Sequence, residues 1–419
     1  MKNLKYINIT NYLLSGIIII ILGILIIIGN QILYSRVIKI VAIIFLLRSL
    51  SELAGVIIRR KKFSKEKIIS IVVNITFAIV LILFEKVSLS ILPILFSLYL
   101  LLNSFIKIIN FTLLMDSNKY KKYIELFFSI FFLISGVIIA VSPLIYLNNI
   151  LIFIGIYCIL LGLDSIKNFI LELIPISKKL KSIRISLPVI LEAFTPIQML
   201  NYINTYFNEE QECENILKSN DNYDLEILIH TSNKGSNALG HMDFYFDNKI
   251  ISYGNYDPSS RKMLSLIGDG VLFEANKEKY IRFCIEHSSK TLIGFGIKLS
   301  EKEINNIRNE YKKIKDSTYI WDLNSIKNKK YSKCYSKLLK RSIGAKFYKF
   351  KSGEFKKYFV CGANCTKFAE KILGGSTGVL KMVGVITPGT YLEYLEHEYK
   401  RKSSNVVYKN IYNEKTKNI

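Results

Sequence analysis

The chain has 419 residues, half of them hydrophobic, with a mean hydropathy of +0.28 and a net charge of +24. The apolar excess is concentrated in the first 170 residues, in runs such as Gly16-Ile-Ile-Ile-Ile-Ile-Leu-Gly and Leu126-Phe-Phe-Ser-Ile-Phe-Phe-Leu. That distribution excludes a simple cytosolic enzyme, a disordered chain and a disulfide-stapled secreted module, and leaves a membrane part joined to a globular part.

Six apolar runs fall near 12–30, 37–58, 68–84, 88–111, 124–142 and 147–170, each close to the roughly 20 residues that cross a bilayer as a helix. No small-residue cleavage site follows the first, so it reads as a retained span. The joints at 59–67, 118–122 and 176–184 are rich in Lys and Arg, whereas those at 31–34, 85–87 and 143–149 carry almost no positive charge. The positive-inside rule then places the basic joints, both termini and the globular half in the cytoplasm, at a cell (inner or plasma) membrane. This use of Lys and Arg, with no nucleic-acid recognition motif, argues against a nucleic-acid partner.

The six runs also group as three helical hairpins. The second member of each carries a polar interruption: Leu46-Leu-Arg-Ser-Leu-Ser-Glu, Leu101-Leu-Asn-Ser-Phe-Ile-Lys and Leu160-Leu-Gly-Leu-Asp-Ser-Ile-Lys. In this the stretch 10–170 resembles the HdeD-like acid-resistance membrane proteins. Arg48, Glu52, Lys107 and Asp164 lie toward the cytoplasmic helix ends, where snorkelling and mutual pairing account for them better than an ion path.

Residues 172–220 read as an amphipathic connector, and 401–419 as a polar, frayed tail. Between them, 225–231 reads as a strand, 241–246 and 250–254 as a hairpin about a turn at 247–249, and 292–299 as another strand. Helices are expected at 281–288, 302–315 and 364–373, and a last one begins at Thr387-Pro-Gly, with threonine as cap and proline at the first helical position. The division is therefore 1–171, 172–220, 221–400 and 401–419.

Of the six cysteines, Cys361 and Cys365 have a spacing that zinc would use, but no second ligand pair accompanies them. No metal or cofactor is expected. Cys365 follows Asn364, a good helix cap, so its thiol stands at a helix start, where an anion is stabilised and a thiolate favoured. Phe368, Ala369, Ile372 and Leu373 follow on the same face. His241 opens a strand after a glycine-bearing loop, a place for the base that activates a thiol. A third polar group should hold the imidazole; Asn255 and Asp257, on the return strand, are the candidates. His230 is read as a satisfied core residue or a supporting group.

Gly240-His241-Met-Asp-Phe-Tyr-Phe followed much later by Asn364-Cys365-Thr-Lys-Phe-Ala, with Ile386-Thr-Pro-Gly-Thr near the end, resembles the permuted papain-fold hydrolases, relatives of NlpC-type peptidases that include lecithin retinol acyltransferase-like enzymes. The resemblance covers 225–398. It implies a cytosolic α+β papain-like domain with an antiparallel sheet, and a cysteine hydrolase of amide, peptide or ester bonds. Two departures, no second histidine on the return strand and a longer insertion between Leu299 and Tyr358, favour hydrolysis over acyl transfer. The competing expectation is a non-catalytic stress-related membrane protein whose papain-like domain binds a ligand or partner. The bilayer is the one partner expected outright; peptide, lipid and modified protein all remain open as substrate.

Overall fold

A computed structural model describes residues 2–58, 65–113, 119–173, 222–231, 240–288, 291–374, 387–400 and 404–413. The basic joint at 59–64, nearly all of the connector, the loop at 232–239 and Cys213 lie outside the described residues. The chain forms two compact units, one of residues 1–111 and 123–170, the other of 112–122 and 171–419.

The first unit is helical: α1 (Lys2–Ile58), α2 (Lys65–Leu83), α3 (Glu85–Leu113), α4 (Lys119–Val141) and α5 (Pro143–Leu173). Four stretches are long and apolar enough to cross a membrane, Tyr12–Gly55, Glu85–Leu113, Lys122–Val141 and Pro143–Lys167, and Lys67–Leu83 is a shorter apolar helix. Where two separate runs are expected in 12–58, α1 is one helix broken only at Asn30, whose φ of 45° and ψ of −144° leave the helical region.

Small residues decide how these helices pack, because in lipid only close backbone approach and interhelical hydrogen bonds hold apolar helices together. The first half of α1 runs antiparallel to α5. A Cβ on Gly23 would stand 2.6 Å from Gly155 O, and one on Gly16 2.9 Å from Gly162 O. Ser165 Oγ donates to Tyr12 O and Gln31 N to Asn148 Oδ1, at the two ends of that contact. On α3, Ser97 Oγ donates to Gly136 O and Ser104 Oγ to Ser129 O of antiparallel α4. The second half of α1 packs on α2 through Ala42, Ala78 and the edge-to-face pair Phe45–Phe77. Close packing therefore joins the second helix of each sequence hairpin to the first helix of the next, and the last back to the first. The intramembrane charges are paired: Arg48 with Glu52 (3.3 Å), Lys107 with Glu125 (3.0 Å) and Lys167 with Asp164.

The second unit is built on an eight-stranded antiparallel sheet. Its strands are β1 (Leu225–Thr231), β2 (His241–Phe246), β3 (Lys249–Gly254), β5 (Val271–Ala275), β6 (Thr291–Ile297), β7 (Thr318–Ile320), β8 (Lys346–Phe350) and β10 (Val406–Tyr412), in the order β10-β6-β1-β2-β3-β5-β8-β7. β4 (Ile267–Asp269) and β9 (Lys357–Phe359) form a separate ribbon. Helices α6 (Lys277–Ser288), α7 (Glu301–Asp316), α8 (Tyr335–Ile343), α9 (Cys365–Ala369, continued by a π-helical turn Glu370–Gly374) and α10 (Pro388–Lys400) complete it.

Strand alternation creates two cores. Met242, Phe244 and Phe246 face one that includes Phe368, Ile372 and Leu395, while Leu228 and Ile250 face another with Tyr280, Phe283 and Leu339. The expected hairpin turns at Asp247 and Asn248, both at positive φ, as a two-residue connection requires. Ser300 caps α7 in a reciprocal box with Glu303, and Thr387 Oγ1 accepts from Thr390 N at the start of α10. The tail expected to fray contains β10, which pairs with β6 from Val406 to Tyr412. Val406, Ile411 and Tyr412 supply the apolar side chains that make that pairing favourable, and all three are buried.

Candidate active site

Gly240, at φ 82°, turns the chain into β2, so that His241 is the first residue of its strand. His241 and Asp243 share a face because strand side chains repeat every two residues. On neighbouring β1, His230 stands directly opposite His241. Asp243 thereby lies between two imidazoles: His241 Nε2 is 2.9 Å from Oδ1 and His230 Nε2 is 2.7 Å from Oδ2. The Tyr280 hydroxyl of α6 donates to Oδ2 as well, at 2.6 Å. His241 Nε2 also approaches the Tyr256 hydroxyl (2.9 Å) and Ser252 Oγ (3.2 Å).

Cys365 comes from the other side of the sheet. Asn364 caps α9 as expected, its Oδ1 accepting from Lys367 N (2.9 Å) and Thr366 Oγ1 (2.7 Å), while its Nδ2 donates to Val360 O. Phe368 stacks on Tyr253 of β3 at 4.8 Å, and the Tyr253 hydroxyl donates to Phe355 O, which fixes the helix on the sheet. The His241 ring lies at the start of its strand, and the Cys365 thiol stands close enough to help raise its pKa. The Tyr358 hydroxyl lies near the same sulfur.

The electrostatics follow from this burial. The His241 side chain is 21% exposed and that of Asp243 not at all. Desolvation pulls the His241 pKa down, but the Asp243 carboxylate and the Cys365 thiol outweigh it and push it up to about 10. For Asp243, burial raises the pKa, yet His241 and His230 hold it well below the usual carboxylate range. Desolvation keeps the Tyr256, Tyr280 and Tyr358 hydroxyls protonated, with pKa values well above 10. The arrangement places a thiol beside an imidazole that favours its charged form, backed by a buried carboxylate.

Of the four residues singled out in the sequence, the structure brings together Cys365 and His241. It engages Asn255 and Asp257 elsewhere. Asn255 Nδ2 donates to Ser265 O and Ile267 O, bracing a turn. Asp257 caps the turn Pro258–Ser260 through Ser259 N (2.9 Å) and binds Lys349 Nζ at 2.6 Å. The group on the imidazole is instead Asp243, and Ser252, Tyr256 and His230 complete its surroundings. The signal that finds Asp243 is the same-face spacing of His241-Met242-Asp243 itself.

Residues 69–141, which span α2 to α4, match the family model described as a short repeat of unknown function (DUF308), the HdeD-like membrane family. With the apolar helices, this match supports a membrane protein in which residues 69–141 are similar to that repeat. No curated protein and no solved structure matches the chain.

Proposed function

We propose that the second unit is a papain-like thiol hydrolase of amide, peptide or ester bonds, held at the cytoplasmic face of the cell membrane by a six-span first unit. The observation that carries this reading is the convergence of a helix-start cysteine with a strand-start histidine and the buried aspartate two residues after it, from two distant parts of the sequence. The Cys365 thiolate attacks the carbonyl carbon, and the imidazolium of His241 gives its proton to the leaving group. Water, deprotonated by His241, then cleaves the thioester and restores the thiol. Asp243 holds the ring and stabilises its charge. The Cys365 N–H, at the first helical position, has no acceptor within the helix and is available to the oxyanion. The six-span topology is supported by the length of Tyr12–Gly55: 44 residues rise about 66 Å as a helix, twice a hydrocarbon core of about 30 Å, and Asn30 divides them.

Alkylation of the full-length protein by iodoacetamide at neutral pH tests the chemistry, because two thiols make opposite forecasts. Cys361 is exposed, and partial burial of its sulfur raises its pKa, whereas Cys365 is buried. Access alone labels Cys361 first; an activated thiolate labels Cys365 first, and more slowly once His241→Ala is made. Faster labelling of Cys361, with Cys365 indifferent to His241→Ala, would overturn the enzyme and favour a non-catalytic binding domain.

A further inference from the structure

Residues 261–266, Arg-Lys-Met-Leu-Ser-Leu, form six consecutive exposed positions at the tip of a turn closed by the Lys262–Ile267 bridge. Leu264 is 98% exposed, Met263 46% and Leu266 38%. Among the described residues from 222 onward, the other large exposed hydrophobics are Tyr319 and Ile320 on β7. Met263, Leu264 and Ser265 all have positive φ (48°, 54° and 70°), a conformation unfavourable for side chains with a Cβ and persistent only where the surroundings impose it. Here that backbone holds two large aliphatic side chains out in water.

The charges at the tip are basic. Arg261 anchors to Asn255 O at 2.9 Å, and the two acids that bracket the turn, Asp257 and Asp269, are already paired with Lys349 and Lys357. The turn also stands against both segments that lead into the candidate site. Leu266 O accepts from Val360 N, five residues before Cys365. Ser265 O accepts from Asn255, whose neighbour Tyr256 touches His241.

A protein partner of ordinary affinity needs about 800 Å² from each side, more than a six-residue tip without aromatic anchors provides. A bilayer needs less: a few aliphatic side chains and adjacent cations suffice. The helices of the same chain keep a bilayer within tether range. We propose that this turn inserts Met263, Leu264 and Leu266 into the headgroup–acyl boundary of an anionic leaflet, with Arg261 and Lys262 at phosphate level. The inference does not depend on the chemistry of Cys365, and its test has no enzymatic readout.

Trp321 is the single tryptophan and is buried, so Trp321→Phe gives a silent background. In that background, full-length Leu264→Trp and Ile320→Trp are reconstituted into phosphatidylcholine vesicles, with or without phosphatidylglycerol, carrying nitroxide-labelled lipid. Leu264→Trp should emit to the blue and lose most of its intensity to the nitroxide. The loss should be greater with phosphatidylglycerol, and that difference should vanish on adding Arg261→Gln and Lys262→Gln. Ile320→Trp should be quenched by aqueous acrylamide instead. Acrylamide quenching of Leu264→Trp would place the tip in water, and shielding from both quenchers would place it against protein; either result overturns the proposal, as does equal nitroxide quenching at both positions. If Trp321→Phe unfolds the unit, Leu264→Trp is read above the constant signal of buried Trp321.

Discussion

A carboxylate with no exposure, flanked by two imidazoles and bonded by a phenol, keeps its charge only because those groups replace water. Asp243→Asn retains the shape and removes that charge. The imidazole of His241, with a folded pKa of about 10 against an ordinary 6.5, is favoured in its protonated form by the fold. Its contribution to stability is therefore complete below about pH 6.5 and is lost as pH rises through about 10. In Asp243→Asn the attraction is gone and the burial penalty remains, so the alkaline loss should move toward neutrality. The pH profile of the thermal midpoint should shift that way, and an unshifted profile would show that Asp243 does not govern the ring. His241, Cys365 and the Asn364 cap are legible in the sequence because each has a local signature: a strand start, a helix start, a side-chain acceptor. Asp243 is equally local, two residues from His241, but the hairpin directs attention to the return strand. There the polar residues that reach the ring are Ser252 and Tyr256, not Asn255 or Asp257.

Among the elements, the turn after β4 leaves no room for a side chain beside the residues that fix the cysteine helix on the sheet. A Cβ at Gly270 would lie 1.9 Å from Phe355 O and 2.6 Å from the Tyr253 hydroxyl, the group that fixes Phe368. Gly270→Ala should cost about 1–3 kcal/mol, as overpacking does. For a domain of this size that lowers the melting temperature by roughly 2–4 °C per kcal/mol, and Cys365 labelling should slow as the helix shifts. In the membrane unit, Gly155→Val would drive a side chain into Gly23 O at 2.7 Å and Ile27 at 2.5 Å. It should reduce the melting temperature in detergent, and Gly23→Val should add little to it, since both open the same contact. The apolar runs are readable from composition, yet their pairing is not. Glycine and serine mark a close-packed face without naming its partner. β10 escapes notice for a similar reason, since the strand that completes it, β6, lies more than a hundred residues earlier.

For the whole molecule, the charge pattern makes a forecast of which way the chain runs. Reporter fusions after Lys62, after Lys122 and at the C-terminus should read cytoplasmic, and one near Asn148 external. An external C-terminus would remove the reducing environment that keeps the thiol free. The order of helix pairing bears on biogenesis as well. Because α5 packs against the first half of α1, Gly16 and Gly23 emerge from the ribosome more than a hundred residues ahead of Gly162 and Gly155, the glycines they meet. Until then the earliest helix presents an unmatched small-residue face to lipid. A nascent chain halted before residue 155 is thus an open ring, with the marks by which membrane proteases recognise an orphan, and the arrival of the final helix is the event that closes it.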